Sequence, residues 1–195
     1  MNQHEISEGA IIDRAVKGDE VALRQLLEKH KSFAFTIALR IVKNREDAEE
    51  IVQDGFIKAF KALRSFKRTG KFSTWLYKII YNTALTSIRG DKKIFISMKG
   101  HSDEQLLPIP EHNDSGLEKL KTEDQKKYLS MAINRLDETE RLLITLYYTC
   151  ELSIAEVSEI TGANPSTIKV KLHRARLRLR DVLSSLLKSE MDNLL

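Results

Sequence analysis

Between Ser153 and Arg180 the chain specifies both ends of two consecutive helices, and that constrains the fold more than any other stretch. Ser153 followed three residues later by Glu156 is a capping box that opens a first helix. Gly162 supplies the positive φ that ends it. Asn164 then N-caps a second helix with Pro165 at its first position, where a missing N–H costs nothing. On this second helix Ile168, Leu172, Ala175 and Leu179 form one stripe at helical spacing. Lys169, Val170, His173 and Arg174 point the other way, flanked by Lys171, Arg176 and Arg178, and no acidic residue interrupts Pro165 to Arg180. Such a helix buries one face and offers forked donors on the other, as a reader of the acceptor-rich DNA major groove does. The plainer alternative is an amphipathic helix whose basic face is merely solvated.

The remainder is legible in the same terms. With 8 Gly and 3 Pro among 195 residues and almost no alternating β-branched runs, the expected class is all-α. A short helix to about Val16 ends near Gly18, and Asp19 caps a long one carrying Val21, Leu23, Leu26, Leu27, Phe33, Phe35, Ile37 and Ile41 as core material. After Asn44, a helix with Glu46, Asp47, Glu49, Glu50 and Asp54 on its surface turns Ala48, Ile51, Val52, Phe56 and Phe60 inward. From Lys58 to Lys71 every charge is positive, with Phe60, Phe66 and Phe72 interleaved. The segment Phe66-Lys-Arg-Thr-Gly-Lys-Phe72 is expected as a basic loop with an aromatic at each end. Ser73 or Thr74 is the expected cap of a helix from Trp75 to Arg89 that buries Leu76, Ile79, Ile80, Ala84 and Ile88. Trp75, Lys78 and Asn82 share another face of it, a combination of ring and charge that suits single-stranded nucleic acid, unless the rings are simply core.

Periodicity then fails, and Pro108, Pro110, Gly100 and Gly116 fall in a stretch of mixed charge. Two small helical domains are therefore expected, residues 1–91 and 117–195, joined by a flexible linker over 92–116. In the second, Leu120, Tyr128, Met131, Ala132 and Leu136 repeat helically, and Asp137 with Glu140 forms another capping box before Leu142 to Tyr148. These helices are expected to pack beneath the opening motif.

Composition excludes more than it selects. A net charge of +4 is a weak hint of a polyanionic partner, so the segregation of acid from base along the chain has to carry that inference. No signal-peptide core and no apolar run of about 18 residues is evident, so a cytoplasmic chain without membrane insertion is expected. The lone Cys150 has no partner for an intramolecular disulfide, and neither it nor His101 and His112 fits a metal-ligand spacing, so no metal or cofactor is expected. No carboxylate cluster or activated nucleophile suggests a catalytic residue, and the chain is not expected to be an enzyme.

Three segments in order resemble the extracytoplasmic-function (ECF) group of bacterial sigma-70 RNA polymerase sigma factors. Glu46-Asp-Ala-Glu-Glu-Ile-Val-Gln-Asp54 resembles the core-binding region of the first sigma domain, and Lys71-Phe-Ser-Thr-Trp-Leu-Tyr-Lys-Ile-Ile-Tyr-Asn82 its minus-10 segment. Leu136-Asp-Glu-Thr-Glu-Arg141 with Ser153 to Arg178 resembles the second sigma domain, which reads the minus-35 element. The resemblance implies a dissociable initiation factor with two kinds of DNA contact. Glu50, Gln53 and Asp54 would hold the β′ clamp helices of core polymerase, with the β flap as a further contact. Phe66, Lys67, Arg68, Phe72, Trp75, Lys78 and Asn82 would grip the melted minus-10 strand. Ser166, Thr167, Lys169, Val170, Lys171 and Arg174 would meet minus-35 duplex, with free N–H groups near Ser166 and Thr167 favouring a phosphate. An anti-sigma factor is an implied partner. Four positions depart from the group: Val170 where Ser is frequent, Glu151 for Gly, Ile80 for a small residue and Thr86 for Asp.

Two rivals leave parts of the chain unused. A polymerase-independent helix-turn-helix regulator gives the acidic helix and the Phe66 to Asn82 segment nothing to do. A recombinase needs a nucleophile among arginines, and Arg40, Arg45 and Arg64 form no such group with a Ser or Tyr.

Overall fold

A computed structural model of the chain describes residues 7–89 and 123–193, and its described helices form two compact units, residues 7–89 and 123–193 being taken in turn. The linker expected over 92–116, and the helical start expected at Leu117, lie outside the described residues. No strand occurs among those that are described.

In the first unit Ser7 caps α1 (Glu8–Val16), which buries Ile12 and Ala15. Gly18 turns the chain at φ 89°, and both Val21 and Ala22 donate their N–H groups to Asp19 at the head of α2 (Glu20–Val42). Arg14 closes this corner by donating to Asp19 at 2.7 Å. The buried stripe of α2 is Ala22, Leu26, His30, Ala34, Ile37 and Ala38. Val21 and Phe33, expected in the core, are 59% and 38% exposed, Val21 on the side of the helix opposite that stripe and Phe33 at its edge. Small residues in the stripe let the neighbouring helices approach closely. Lys43 ends α2 in the left-handed region, and Asn44 accepts from Glu46 and Asp47 to open α3 (Arg45–Ala62). Ala48, Ile51, Gly55, Phe56 and Ala59 form its inner face, with Val52 and Phe60 half-buried at the edge.

A 3-10 turn (Leu63–Ser65) leads through the 66–71 loop into α4 (Phe72–Arg89). This helix starts before the expected caps: the Trp75 N–H already donates to the Lys71 carbonyl, and Thr74 is buried in the first turn. Burial of Phe72 draws the helix start back. Besides Leu76, Ile80 and Ala84, α4 buries Tyr77 and Tyr81, whereas Ile79 and Ile88 are only half-buried. Helix α2 packs on α1, α3 and α4, and α3 packs on α4.

In the second unit Ala132 of α5 (Glu123–Asn134) and Leu136 just beyond it are buried as expected, with Ile133 added, whereas Met131 is 40% exposed. Asp137 and Glu140 form the expected capping box of α6 (Glu138–Ile144), whose end widens into a π turn (Thr145–Thr149). Glu151 follows at φ 53°, which explains why glycine suits that position. Then come α7 (Ile154–Thr161) and α8 (Pro165–Asn193). Helix α8 packs on α5, α6 and α7, and Leu143, Leu146, Val157, Ile160, Ile168 and Ala175 are buried in this unit.

Candidate polymerase and promoter interfaces

On the solvent side of α3 Glu50, Gln53 and Asp54 are exposed within one helical turn. Asn44 caps the helix, and Glu46 and Asp47 stand in its positive first turn, so the acidic end is favoured by the helix dipole. One turn beyond Gln53 and Asp54 lies Ile57, 51% exposed. Attention to charge alone passes over this residue. Its signal in sequence was an apolar residue off the Ala48-Ile51-Phe56-Ala59 stripe.

The unit's second surface is aromatic and basic. Phe66, Phe72 and Trp75 form a triangle with ring centroids 5.3 to 5.6 Å apart. Phe72 is only 2% exposed and also packs on His30, at 5.4 Å. Its ring, expected at the strand surface, is packed against Phe66, Trp75 and His30 instead of being presented to solvent. The Phe66 and Trp75 rings are half-buried, and Lys67, Arg68 and Lys71 around them are exposed. Lys78 and Asn82 are exposed on α4, following Trp75 by about one and two turns. The Thr86 hydroxyl donates to the Asn82 carbonyl at 2.8 Å.

The support under this surface reaches α1. His30, 5% exposed, lies between Glu8 and Tyr77. Because the Glu8 carboxylate only accepts, Nε2–H of a neutral His30 donates to it at 3.1 Å, and Nδ1 accepts from the Tyr77 hydroxyl at 3.3 Å. Burial pushes the His30 pKa down against the pull of Glu8. Burial would raise Glu8, but Lys29 at 2.8 Å and His30 outweigh it and hold the carboxyl below its ordinary range. Arg68, at φ 57° in the loop, donates to Asp13 of α1.

In the second unit the helix-turn-helix is built as its caps predict. Glu156 and Ser153 bond reciprocally, and Gly162, at φ 72°, donates to the Ser158 carbonyl at 2.8 Å. The Ser158 hydroxyl reaches across the turn to the Ala163 carbonyl at 2.7 Å. Asn164 accepts from both the N–H and the hydroxyl of Ser166, at 2.9 and 2.7 Å. The Ser166 N–H is thus taken by the cap, and the expectation that it is free for a phosphate is corrected.

Ile168, Leu172 and Ala175 are buried, while Ser166, Lys169 and Arg174 are exposed and Thr167, Val170 and Lys171 half-exposed. The later cations serve the fold. Arg176 donates to the Tyr148 hydroxyl at 3.3 Å, and Arg178 binds both carboxylates of the α6 capping box, Glu140 at 2.9 Å and Asp137 at 3.3 Å. Cys150 is buried, and loss of solvation pushes its thiol pKa up to about 12. Among the described residues no group of His, Cys, Asp or Glu is placed to hold a metal ion, and no helix is long and apolar enough to cross a membrane.

The family description "Sigma-70 region 2" matches residues 26–94, and "Sigma-70, region 4" matches residues 126–179. The chain belongs to the sigma-70 family. Within it this sigma factor stands in the ECF group: it is 32% identical over 185 residues to the ECF RNA polymerase sigma factor SigW of Bacillus subtilis, covering 90% of this chain and 96% of that protein. It is 27% identical over 184 residues to the ECF RNA polymerase sigma-E factor of Escherichia coli, covering 88% and 92% of the two chains. The fold is shared with two solved chains, one of them a sigma factor. CnrH, in a complex with the cytosolic domain of CnrY, has a TM-score of 0.61 at 21% identity, covering 90% of this chain and 96% of that one. RpoE, in a complex with the anti-sigma factor NepR from Bartonella quintana, has a TM-score of 0.60 at 24% identity over 83% and 96%. This sigma factor directs RNA polymerase to promoters for initiation, and a stand-alone helix-turn-helix regulator would leave the region 2 match unexplained.

Proposed function

We propose that the two units divide promoter recognition as follows. Glu50, Gln53 and Asp54, extended by Ile57, form the face that docks on the β′ clamp helices of core polymerase, a polar rim around one apolar anchor. Phe66 and Trp75, with Lys67, Arg68, Lys78 and Asn82, take the unpaired minus-10 strand, rings stacking on bases and cations meeting phosphates. Phe72 holds the rings in place. Thr167, Lys169, Val170, Lys171 and Arg174 face minus-35 duplex in the major groove, with Ser166 at the head of the helix. Residues 1–91 and 117–195 act as the two domains and 92–116 as the linker. The chain works in the cytoplasm, supplies no catalytic group of its own and leaves phosphodiester synthesis to the polymerase. Because CnrH and RpoE are each solved with a partner, RpoE's being an anti-sigma factor, a partner of that class is part of the proposal.

One observation carries this reading: an exposed acidic stripe on α3, and a surface of half-buried rings and exposed cations on α4 and the loop before it, belong to two helices packed directly on each other. The test is reconstitution. Purified chain added to sigma-free core polymerase should yield run-off transcripts from a specific set of genomic promoters. Failure to associate with core, or transcripts no different from core alone, would refute it.

A further inference from the structure

The loop cation Arg68 is tied to a carboxylate that the proposed function leaves unused. Arg68 belongs to the 66–71 loop, yet its guanidinium donates to Asp13, 55 residues earlier on α1. Their side chains remain 47% and 58% exposed, so the pair adds little to stability. Its geometry has a different consequence. Helix α1 is a fixed support, with Ile12 and Ala15 buried, Glu8 bonded to His30 and Lys29, and Arg14 bonded to Asp19. The carboxylate of Asp13 is thus presented from a rigid helix to a cation on a loop. The hydrogen bond from Arg68 and its charge hold the Asp13 carboxyl below its ordinary range, so it is ionised at neutral pH.

A guanidinium meets a carboxylate and a phosphate with the same planar fork of donors. The two acceptors therefore compete. We propose that Asp13 is a specificity-determining residue of strand capture: an internal counter-ion that occupies Arg68 until a correctly seated strand displaces it. This rests on the reading of the Phe66 to Asn82 surface as the minus-10 grip. A strand that stacks on Phe66 and Trp75 and meets Lys67 and Lys78 has enough other contacts to take Arg68 over. One held by phosphates alone has to displace Asp13 first. Once displaced, Asp13 still has a cation nearby, because Lys17 also pulls its carboxyl down.

The test uses full-length chain and a labelled single-stranded minus-10 oligonucleotide, free and assembled with core polymerase, titrated over a range of salt. Asp13→Asn should bind several-fold tighter, and for a scrambled oligonucleotide, which does not take Arg68 over in the wild type, the log–log salt slope should steepen by about 0.7, the value for one added phosphate contact on a single strand. The gain should be larger for scrambled than for matched oligonucleotides, so discrimination falls. Asp13→Asn combined with Arg68→Ala should bind no better than Arg68→Ala. Unchanged binding by Asp13→Asn, or a gain that survives removal of Arg68, would overturn the counter-ion role. Trp75→Ala and Lys67→Ala with Lys78→Ala separate the two failures. If neither weakens strand binding, the surface itself is misassigned; if both weaken it while Asp13→Asn has no effect, only the counter-ion role falls.

Discussion

A β carbon on Gly55 of α3 would lie 2.3 Å from Cδ1 of Ile80 on α4, so these two helices meet where one has no side chain and the other has a large one. Ile80 is fully buried, and its bulk is received by the glycine opposite. Gly55 directly follows Asp54 of the acidic face, and Ile80 lies between Lys78 and Asn82. Their approach sets the spacing between the two proposed working surfaces of the unit.

Gly55→Ala gains about 1 kcal/mol of helix propensity, and the only atom it meets too closely is the terminal methyl of Ile80, which has to turn aside. The net change is expected to be small, within about 1 kcal/mol of zero. Ile80→Val alone should cost about 0.5–1.5 kcal/mol, but it removes Cδ1, so the double variant should be more stable than the sum of the singles. Urea midpoints of the four proteins decide this, and strict additivity would mean that Ile80 turns aside at no cost.

Reversing the acidic face with Glu50→Lys and Asp54→Lys should abolish core polymerase binding without shifting the unfolding midpoint, since both residues are exposed. Ile57→Ala should weaken docking by about 1–2 kcal/mol through lost apolar burial. Affinity measured by competition for core enzyme checks both, and wild-type affinity in the charge reversal would remove α3 from the docking site.

On α8 the cations should separate into two groups. Lys169→Ala or Arg174→Ala should weaken minus-35 binding by about 1–3 kcal/mol where a base contact is lost, with little change in stability. Arg178→Ala should lower stability by about 1 kcal/mol, because Glu140, only 7% exposed, loses its guanidinium partner. Val170→Ser should change base preference at one minus-35 position, read out by a promoter library. If Arg178→Ala relaxed base preference and left stability untouched, the division would be wrong.

Acid should loosen the first unit. His30 has a folded pKa below its ordinary 6.5, so the unfolded chain binds the extra proton first and stability falls as the pH drops through that value. Glu8, lowered from 4.5, adds a further loss below that pH. Both contributions have the same sign. Thermal unfolding between pH 7.5 and 5 should show a falling midpoint, and His30→Phe should flatten the upper part of the curve. An equally steep curve in His30→Phe would assign the effect elsewhere.

The second unit was the more legible in sequence, because its order is imposed locally. Two capping boxes, Gly162 and Asn164-Pro165 mark helix ends through bonds spanning only a few residues, and all appear where the sequence places them. What sequence could not supply was long-range. The partner of Arg68 is 55 residues away and the acceptors of Arg178 are 38 and 41 away, so a basic run gave no sign of which cations were committed internally. The start of α4 was misplaced for a related reason: Ser73 and Thr74 satisfy a local capping rule, but burial of Phe72 against His30 prevails. His30 carried no local signal at all, being a single polar residue in an apolar stripe.

Cys150 has a consequence for how this factor can be induced. A buried thiol whose pKa is pushed up to about 12 is almost wholly protonated at neutral pH, and thiolate is the reactive form. Cys150 is the only cysteine in the chain. Peroxide or disulfide stress therefore finds no reactive sulfhydryl on the folded factor, and a thiol reagent should label it only as fast as the second unit opens. If oxidants switch this factor on, they do not act through a cysteine of the folded chain.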